Sequence, residues 1–160
     1  MPPRLARKPV STYHHGDLRD ALVQAALAEA EQGGPESISL KALAKQLGVS
    51  QPAPYRHFAD REALLEAVTA EAFRQFNAVL RESVSKPSKH SRLSRIARAT
   101  LDFGLRRNGI YRLMFASRTM AAVAKDSELS NAKMETFGLV LQALGDPAPG
   151  FLRERHALTI

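Results

Sequence analysis

Residues 39–58, SLKALAKQLGVSQPAPYRHF, carry the clearest structural signal in the chain. They read as two short helices joined by a tight glycine turn. Ser39 stands at an N-cap position, where its hydroxyl can accept a backbone N–H. Leu40, Leu43, Ala44 and Leu47 then recur at helical spacing. Gly48 follows as a C′-type glycine, able to take φ > 0 without a Cβ clash. Val49 can pack beneath the turn. Ser50 reads as a second N-cap, and the pattern predicts a second helix running to about Phe58. Ala44, four residues before Gly48, is the small residue that lets the two helices cross. These features make a helix-turn-helix pattern.

The next residues sharpen that reading. Tyr55-Arg56-His57-Phe58 closes the second helix. Asp60-Arg61-Glu62-Ala63-Leu64-Leu65 opens a long amphipathic one, with Asp60 as its N-cap. The order Gly-Val-Ser, four residues, Tyr-x-His-Phe, then x-Asp-(Lys/Arg)-Glu-x-Leu-Leu resembles the TetR family of bacterial transcriptional regulators. The resemblance is close over residues 17 to 66 and rests on helix order elsewhere.

Composition bounds the rest. A chain of 160 residues can bury one good core or two small ones. There is no cysteine, which excludes disulfides and thiolate metal sites and agrees with a cytoplasmic location. No run of 18 apolar residues is present, so no membrane partner is expected, and no signal-peptide core opens the chain. The net charge of +7 favours a polyanionic partner. Its distribution is less telling. Residues 1–61 hold eight Lys/Arg against six Asp/Glu, and residues 62–160 hold fifteen against ten. Arg4, Arg7 and Lys8 form a basic arm. Arg81, Lys86, Lys89, Arg92, Arg95 and Arg98 read as a solvated helix end and loop. Local placement, rather than total charge, must carry an argument for nucleic acid.

Helices are expected at 17–32, 61–83, 92–107 and 127–144, with shorter ones at 110–115 and 119–124. Asn108-Gly109 is expected to end a helix, and a last helix opens at Phe151. Leu93, Ile96, Ala97, Thr100, Leu101 and Gly104 are expected on one face of the 92–107 helix. No alternating β pattern of useful length appears. The fold class is all-α: a three-helix reading head over residues 1–60, joined by the long helix to a helical bundle over 61–160.

In a helix-turn-helix the second helix enters the major groove and its first residues meet base edges. Here those are Ser50, Gln51, Pro52 and Ala53. Gln51 can pair with adenine, Ala53 can touch a thymine methyl, and Arg56 can reach a guanine or a phosphate. Ser39 and Ser50, at helix starts, suit phosphates. The resemblance implies phosphate contacts for Tyr55, His57 and Arg61. Thus Ser39, Lys41, Tyr55, His57 and Arg61 position the protein, while Gln51, Ala53 and Arg56 specify sequence. Pro52 suits a first helical turn, whereas Pro54 lies deeper and costs a hydrogen bond or tilts the helix. His14, His15 and Asp17 lie close in sequence, but adjacent histidines splay apart and no metal site is assigned.

The resemblance also implies that the bundle holds an effector pocket and the dimer interface. A small organic effector would then shift the spacing of two reading heads, through differential affinity for two conformations. Candidate ligand-binding residues are Phe73, Phe76, Phe103, Tyr111, Met114, Phe115, Met120 and Phe137; each can equally be ordinary core. Arg106, Arg107 and Arg112 can favour an anionic effector, but surface exposure is the preferred reading. Residues 108–117, NGIYRLMFAS, resemble a TetR subgroup named for a Trp-His-Gly motif. That motif would fall just after Ile160, and the two long C-terminal helices of the family are incomplete here, so the chain reads as truncated.

The expected function is a DNA-binding repressor, released from a pseudo-palindromic operator by a small-molecule effector and working as a homodimer if its remaining helices suffice. The alternatives are a helix-turn-helix DNA binder without effector control, or a truncated remnant unable to dimerise. No glycine-rich phosphate loop, nucleophile elbow, metal-ligand spacing or carboxylate pair is present. No enzyme activity and no cofactor are expected.

Overall fold

Apolar residues recur along this chain with a helical period, and helices form. The computed structural model describes residues 15–116 and 126–145, with side chains from Leu18 to Phe115 and from Asp126 to Gly145. Among the described residues there are six α-helices, two short 3-10 turns and no strand. The fold is all-α, as the sequence predicts. The basic arm, Met120, the helix expected at 119–124 and the one expected from Phe151 lie outside the described residues.

Helix α1 (His15–Gly33) buries Leu18, Leu22, Val23, Ala26, Leu27 and Ala30. Its end is closed locally. The Gly34 amide donates to the Ala30 carbonyl, and the Ser37 hydroxyl donates to the Glu29 and Gly34 carbonyls, so groups freed at the terminus find partners. A 3-10 turn, Pro35–Ser37, leads into α2 (Leu40–Gln46). Helix α3 (Arg61–Ser85) opens on Asp60, whose carboxylate accepts the Ala63 amide at 2.8 Å. That cap is worth about 1 kcal/mol. At 1.5 Å per residue, its 25 residues reach roughly 37 Å.

Four consecutive residues of α3, Ala67 to Ala70, are buried. A helix buried on all sides runs through the middle of its domain. Helices α1, α4, α5 and α6 surround α3, with α6 (Glu128–Leu144) its most extensive partner. Their seam contains a buried polar cluster. Asn77 donates to the Ala132 carbonyl at 2.8 Å and to Glu135 at 3.2 Å, and Thr136 donates to the Asn77 amide oxygen at 2.5 Å. Buried polar groups satisfied in this way fix the register of two helices that apolar contacts alone leave free to slide.

One expected helix face is corrected in the body. Helix α4 (Arg92–Arg106) buries Ile96 and Phe103, while Leu93, Leu101 and Leu105 are exposed, Leu105 to 81%. Residues 101 and 103 lie about 200° apart around a helix, so both cannot face the core. The aromatic ring takes the inner place and packs on Phe76 at 5.0 Å. Similarly, α6 turns Leu129 and Ala132 inward and leaves Met134 exposed.

Asn108-Gly109, expected to end a helix, instead begins α5 (Asn108–Ala116). The backbone turns at Arg107, whose carbonyl accepts the Tyr111 amide. Gly109 is needed for contact rather than for a turn. A Cβ there would sit 2.0 Å from the Ala30 carbonyl oxygen, so α5 rests directly on the backbone of α1.

Candidate nucleic-acid interface

The turn after α2 forms as its residues predict. Gly48 has φ +68°, the left-handed conformation that glycine adopts without cost. The Gly48 amide donates to Lys45 and the Val49 amide to Ala44, at 3.2 and 3.0 Å. This is a Schellman closure, with Val49 packed against the core. Ala44 is fully buried, as a close helix crossing requires. The turn therefore sets where the next segment leaves α2.

That segment differs from expectation. No α-helix spans residues 50–58; a turn over 51–53 runs into a 3-10 turn, Pro54–Arg56. The reason is the pair of prolines. In an α-helix Pro54 would return an N–H to the Ser50 carbonyl, and it has none. The Ala53 amide takes that carbonyl instead, at 3.0 Å, and Arg56 bonds back to Ala53 in the same three-residue step. Only Phe58 recovers the four-residue step, to Pro54 at 3.0 Å. The caps also differ. Ser39 is extended at its cap position, but its hydroxyl makes no capping bond, and Ser50 opens no α-helix. The dipole argument is lost for Ser50, which has no helix behind it, while Ser39 still stands at the start of α2.

The segment is nonetheless anchored. Pro54 and Phe58 are buried, and Leu47, Val49 and Ala53 pack partly against the core. The Arg19 guanidinium lies over the Phe58 ring, 5.5 Å from its centroid. With this inner edge held, the outer edge carries Ser50, Gln51, Pro52, Tyr55 and Arg56, all exposed. Tyr55 is 53% exposed, a large ring left in solvent with no intramolecular use for its face. Lys41 is exposed on α2; Ser39, Ala53 and His57 are half-buried at the margin. All ten expected DNA-binding residues, Arg61 among them, are thus exposed or half-buried.

Arg61, half-exposed, is also tied inward. Its Nε donates to the Ile38 carbonyl at 3.0 Å and its Nη2 to the Pro35 carbonyl at 2.7 Å, while Nη1 faces Glu62 at 3.4 Å. It ties the start of α3 to the strap that leads into α2. Sequence pattern alone does not reveal this, because the carbonyls it meets lie more than twenty residues earlier.

Other ties cross from the head into the body. Glu128, at the start of α6, faces Arg19 of α1 at 3.8 Å and Arg74 of α3 at 3.4 Å. Arg74 also holds Glu71 at 2.8 Å. Burial opposes ionisation of Glu71, but hydrogen bonds from Arg74 and Gln75 and the Arg74 charge outweigh it, and the carboxyl sits below its ordinary value. Arg107, expected on the surface, bonds Glu31 of α1 at 2.7 Å. Arg112 is exposed and only 3.9 Å from Glu36.

The aromatic residues assigned to a ligand pocket fill space with one another. Phe73 and Phe115 lie 5.6 Å apart, Phe76 and Phe115 6.4 Å, and Tyr111 and Phe115 4.7 Å. Phe73, Phe76, Phe103 and Met114 are buried, and Tyr111 and Phe137 partly so. Phe115 is half-exposed at the edge of the cluster. Among the described residues, no group of three or more His, Cys, Asp or Glu is placed to hold a metal, and no helix is long and apolar enough to cross a membrane.

Known proteins resemble this chain in the same places. Residues 22–68 match the model for bacterial regulatory proteins of the tetR family. The nucleoid occlusion factor SlmA of Marinomonas sp. (strain MWYL1) is 32% identical over 104 residues, covering 62% of this chain and 51% of that protein. The tetracycline repressor protein class C of Escherichia coli is 42% identical over 59 residues, covering 37% of this chain and 26% of the repressor. The chain thus spans about half the length of one curated relative and about a quarter of the other. A solved structure of a protein of unknown function from Rhodococcus sp. RHA1 superposes with a TM-score of 0.68 at 33% identity, covering 88% of this chain and 76% of that one. Over residues 22–68 the chain is thus similar to the N-terminal domain of the tetR family of bacterial regulatory proteins.

Proposed function

We propose that the chain is a repressor that reads a pseudo-palindromic DNA operator as a homodimer and is released by a small organic effector. The observation that carries the reading is the exposed edge of residues 50–56. Gln51, Tyr55 and Arg56 stand in solvent while Pro54 and Phe58 lock the same segment to the core. A rigid base beneath unpartnered polar and aromatic side chains is what presentation to a duplex needs.

In this reading residues 1–60 are the reading head and residues 61–160 the effector and dimer body. Ser39, Lys41, Tyr55 and His57 contact phosphates; Gln51, Ala53 and Arg56 meet base edges. Arg61 acts chiefly by holding the strap before α2, with its remaining edge near the phosphates. The similarity to the tetracycline repressor protein class C supports the repressive sense. A turn with a 3-10 pitch is narrower and more tightly wound than an α-helix. It therefore presents fewer residues to the groove, and base contact centres on Gln51 and Arg56.

The test is selection of bound sequences from a random duplex pool. A palindromic consensus with half-sites about 34–36 Å apart, or a multiple of that, is the expected result. Recovery of unrelated duplexes, bound in proportion to their length, would refute sequence-specific repression.

A further inference from the structure

Two grooves meet where α4 ends. One, of about 560 Å³, lies between the second half of α3 and α4, with Val79, Ala99 and Phe103 as its apolar side. Lys86, Arg106 and Arg107 stand around it. The other, of about 390 Å³, lies against α1 and includes Leu27 and Glu31 beside the same two arginines. The first has the volume of a small-molecule site and the mix that such sites use, an apolar wall with a few convergent charges.

The charges are not balanced inside the protein. Asp102, on the rim, is only 3.9 Å from Arg98, and Glu82 is the other acid there. Among the described residues neither Lys86 nor Arg106 forms an ion pair. Arg107 is placed differently. Its guanidinium lies 5.8 Å from the Phe103 ring centroid, while its Nε bonds Glu31 of α1 at 2.7 Å. One arginine thus touches the floor of the groove and the first helix of the reading head.

We propose that this groove binds a small amphipathic carboxylate. Its apolar body rests on Val79, Ala99 and Phe103, and its carboxylate meets Lys86 and Arg106. Arginine recognises a carboxylate through two parallel N–H donors, a geometry that an alcohol cannot match. A carboxylate arriving here also competes with Glu31 for Arg107, and so loosens the tie between body and head. The regulatory meaning of the site rests on the effector reading above; the binding itself does not.

The test is isothermal titration of the full chain with decanoate and with decanol, both kept below their aggregation thresholds. Decanoate is expected to bind about tenfold tighter than decanol, the size of one charge-assisted contact pair. The double variant Lys86→Gln, Arg106→Gln shrinks that difference to what Arg107 alone supplies while leaving helical circular dichroism unchanged. Glu31→Gln, by ending the competition for Arg107, tightens decanoate about threefold and leaves decanol alone. Equal affinity for the two probes, or decanoate binding indifferent to the double variant, overturns the site. A decanoate affinity unmoved by Glu31→Gln overturns the competition at Arg107. Decanoate binding as expected, with no change in affinity for the selected duplex, overturns the effector reading and leaves the site standing.

Discussion

The N-terminal segment up to residue 60, the head of the proposed reading, and the helical body after it are both made of helices, but they are held by bonds of different range. In the head, the decisive bonds join residues three to five apart: Gly48 to Lys45, Val49 to Ala44, Ala53 to Ser50, Ala63 to Asp60. In the body, they join residues more than fifty apart, Asn77 to Ala132 and Thr136, and Arg107 reaches back over a similar span to Glu31 of α1. Local bonds set a shape that a short segment keeps wherever it is attached. Long-range bonds set how helices sit on one another, and change when the helices move. A head shaped locally and a body assembled at long range suit a molecule that presents a fixed surface and adjusts its placement.

Two glycines break this comparison most sharply. Gly109→Ala puts a Cβ against the Ala30 carbonyl with no flexible atom to yield, and is expected to cost about 3 kcal/mol. Gly48→Ala meets nothing within 4 Å and carries only the left-handed strain, about 1–2 kcal/mol. Denaturant melts of the two variants measure the difference; a Gly48 variant as unstable as the Gly109 one would mean the head depends on more than its own turn. Between them falls Asn77→Ala, which removes the Asn77 bonds to the Ala132 carbonyl, Glu135 and Thr136 from the α3–α6 seam and leaves the Thr136 hydroxyl only the Ala132 carbonyl. Its expected cost is about 2 kcal/mol, read in the same melts.

The smallest expected effect is one of pH. The Glu71 carboxyl lies below its ordinary value in the folded chain, so its ionised form favours folding. That contribution is complete above the ordinary carboxylate value of 4.5 and is lost as pH falls through the lower folded value. Glu71→Gln should therefore lower stability at neutral pH slightly and flatten the acid side of the stability profile. An unchanged acid limb would remove Glu71 from the account.

The range of the bonds also explains what could be read in advance. Gly48, Asp60 and the apolar run of α2 act on near neighbours, so their roles were legible one residue at a time. The span of α3 was legible because 25 residues kept one pattern between a cap and a break. The 50–58 segment was misjudged because two prolines remove donors from one short stretch, and a three-residue step replaces the helix. The rotation of α4 was misjudged because Phe103 finds Phe76, which no local spacing announces. Gly109 was taken for a helix end because the Ala30 carbonyl it must clear is far away in sequence. Arg61 was assigned to phosphates by resemblance; its two bonds to the strap before α2 were not legible, because the Ile38 and Pro35 carbonyls lie far back in sequence.

The central claim is that the 50–56 edge reads DNA, with Gln51 specifying sequence and Tyr55 positioning the backbone. Parallel selection from one random duplex pool by the unaltered chain, Gln51→Ala and Tyr55→Ala tests it directly. The account predicts a palindromic consensus for the unaltered chain. Gln51→Ala should change the preferred base at one position in each half-site, and Tyr55→Ala should keep the consensus while weakening every selected duplex by a similar factor, about tenfold for a lost phosphate contact. An unchanged consensus in Gln51→Ala, or no consensus for the unaltered chain, would contradict it.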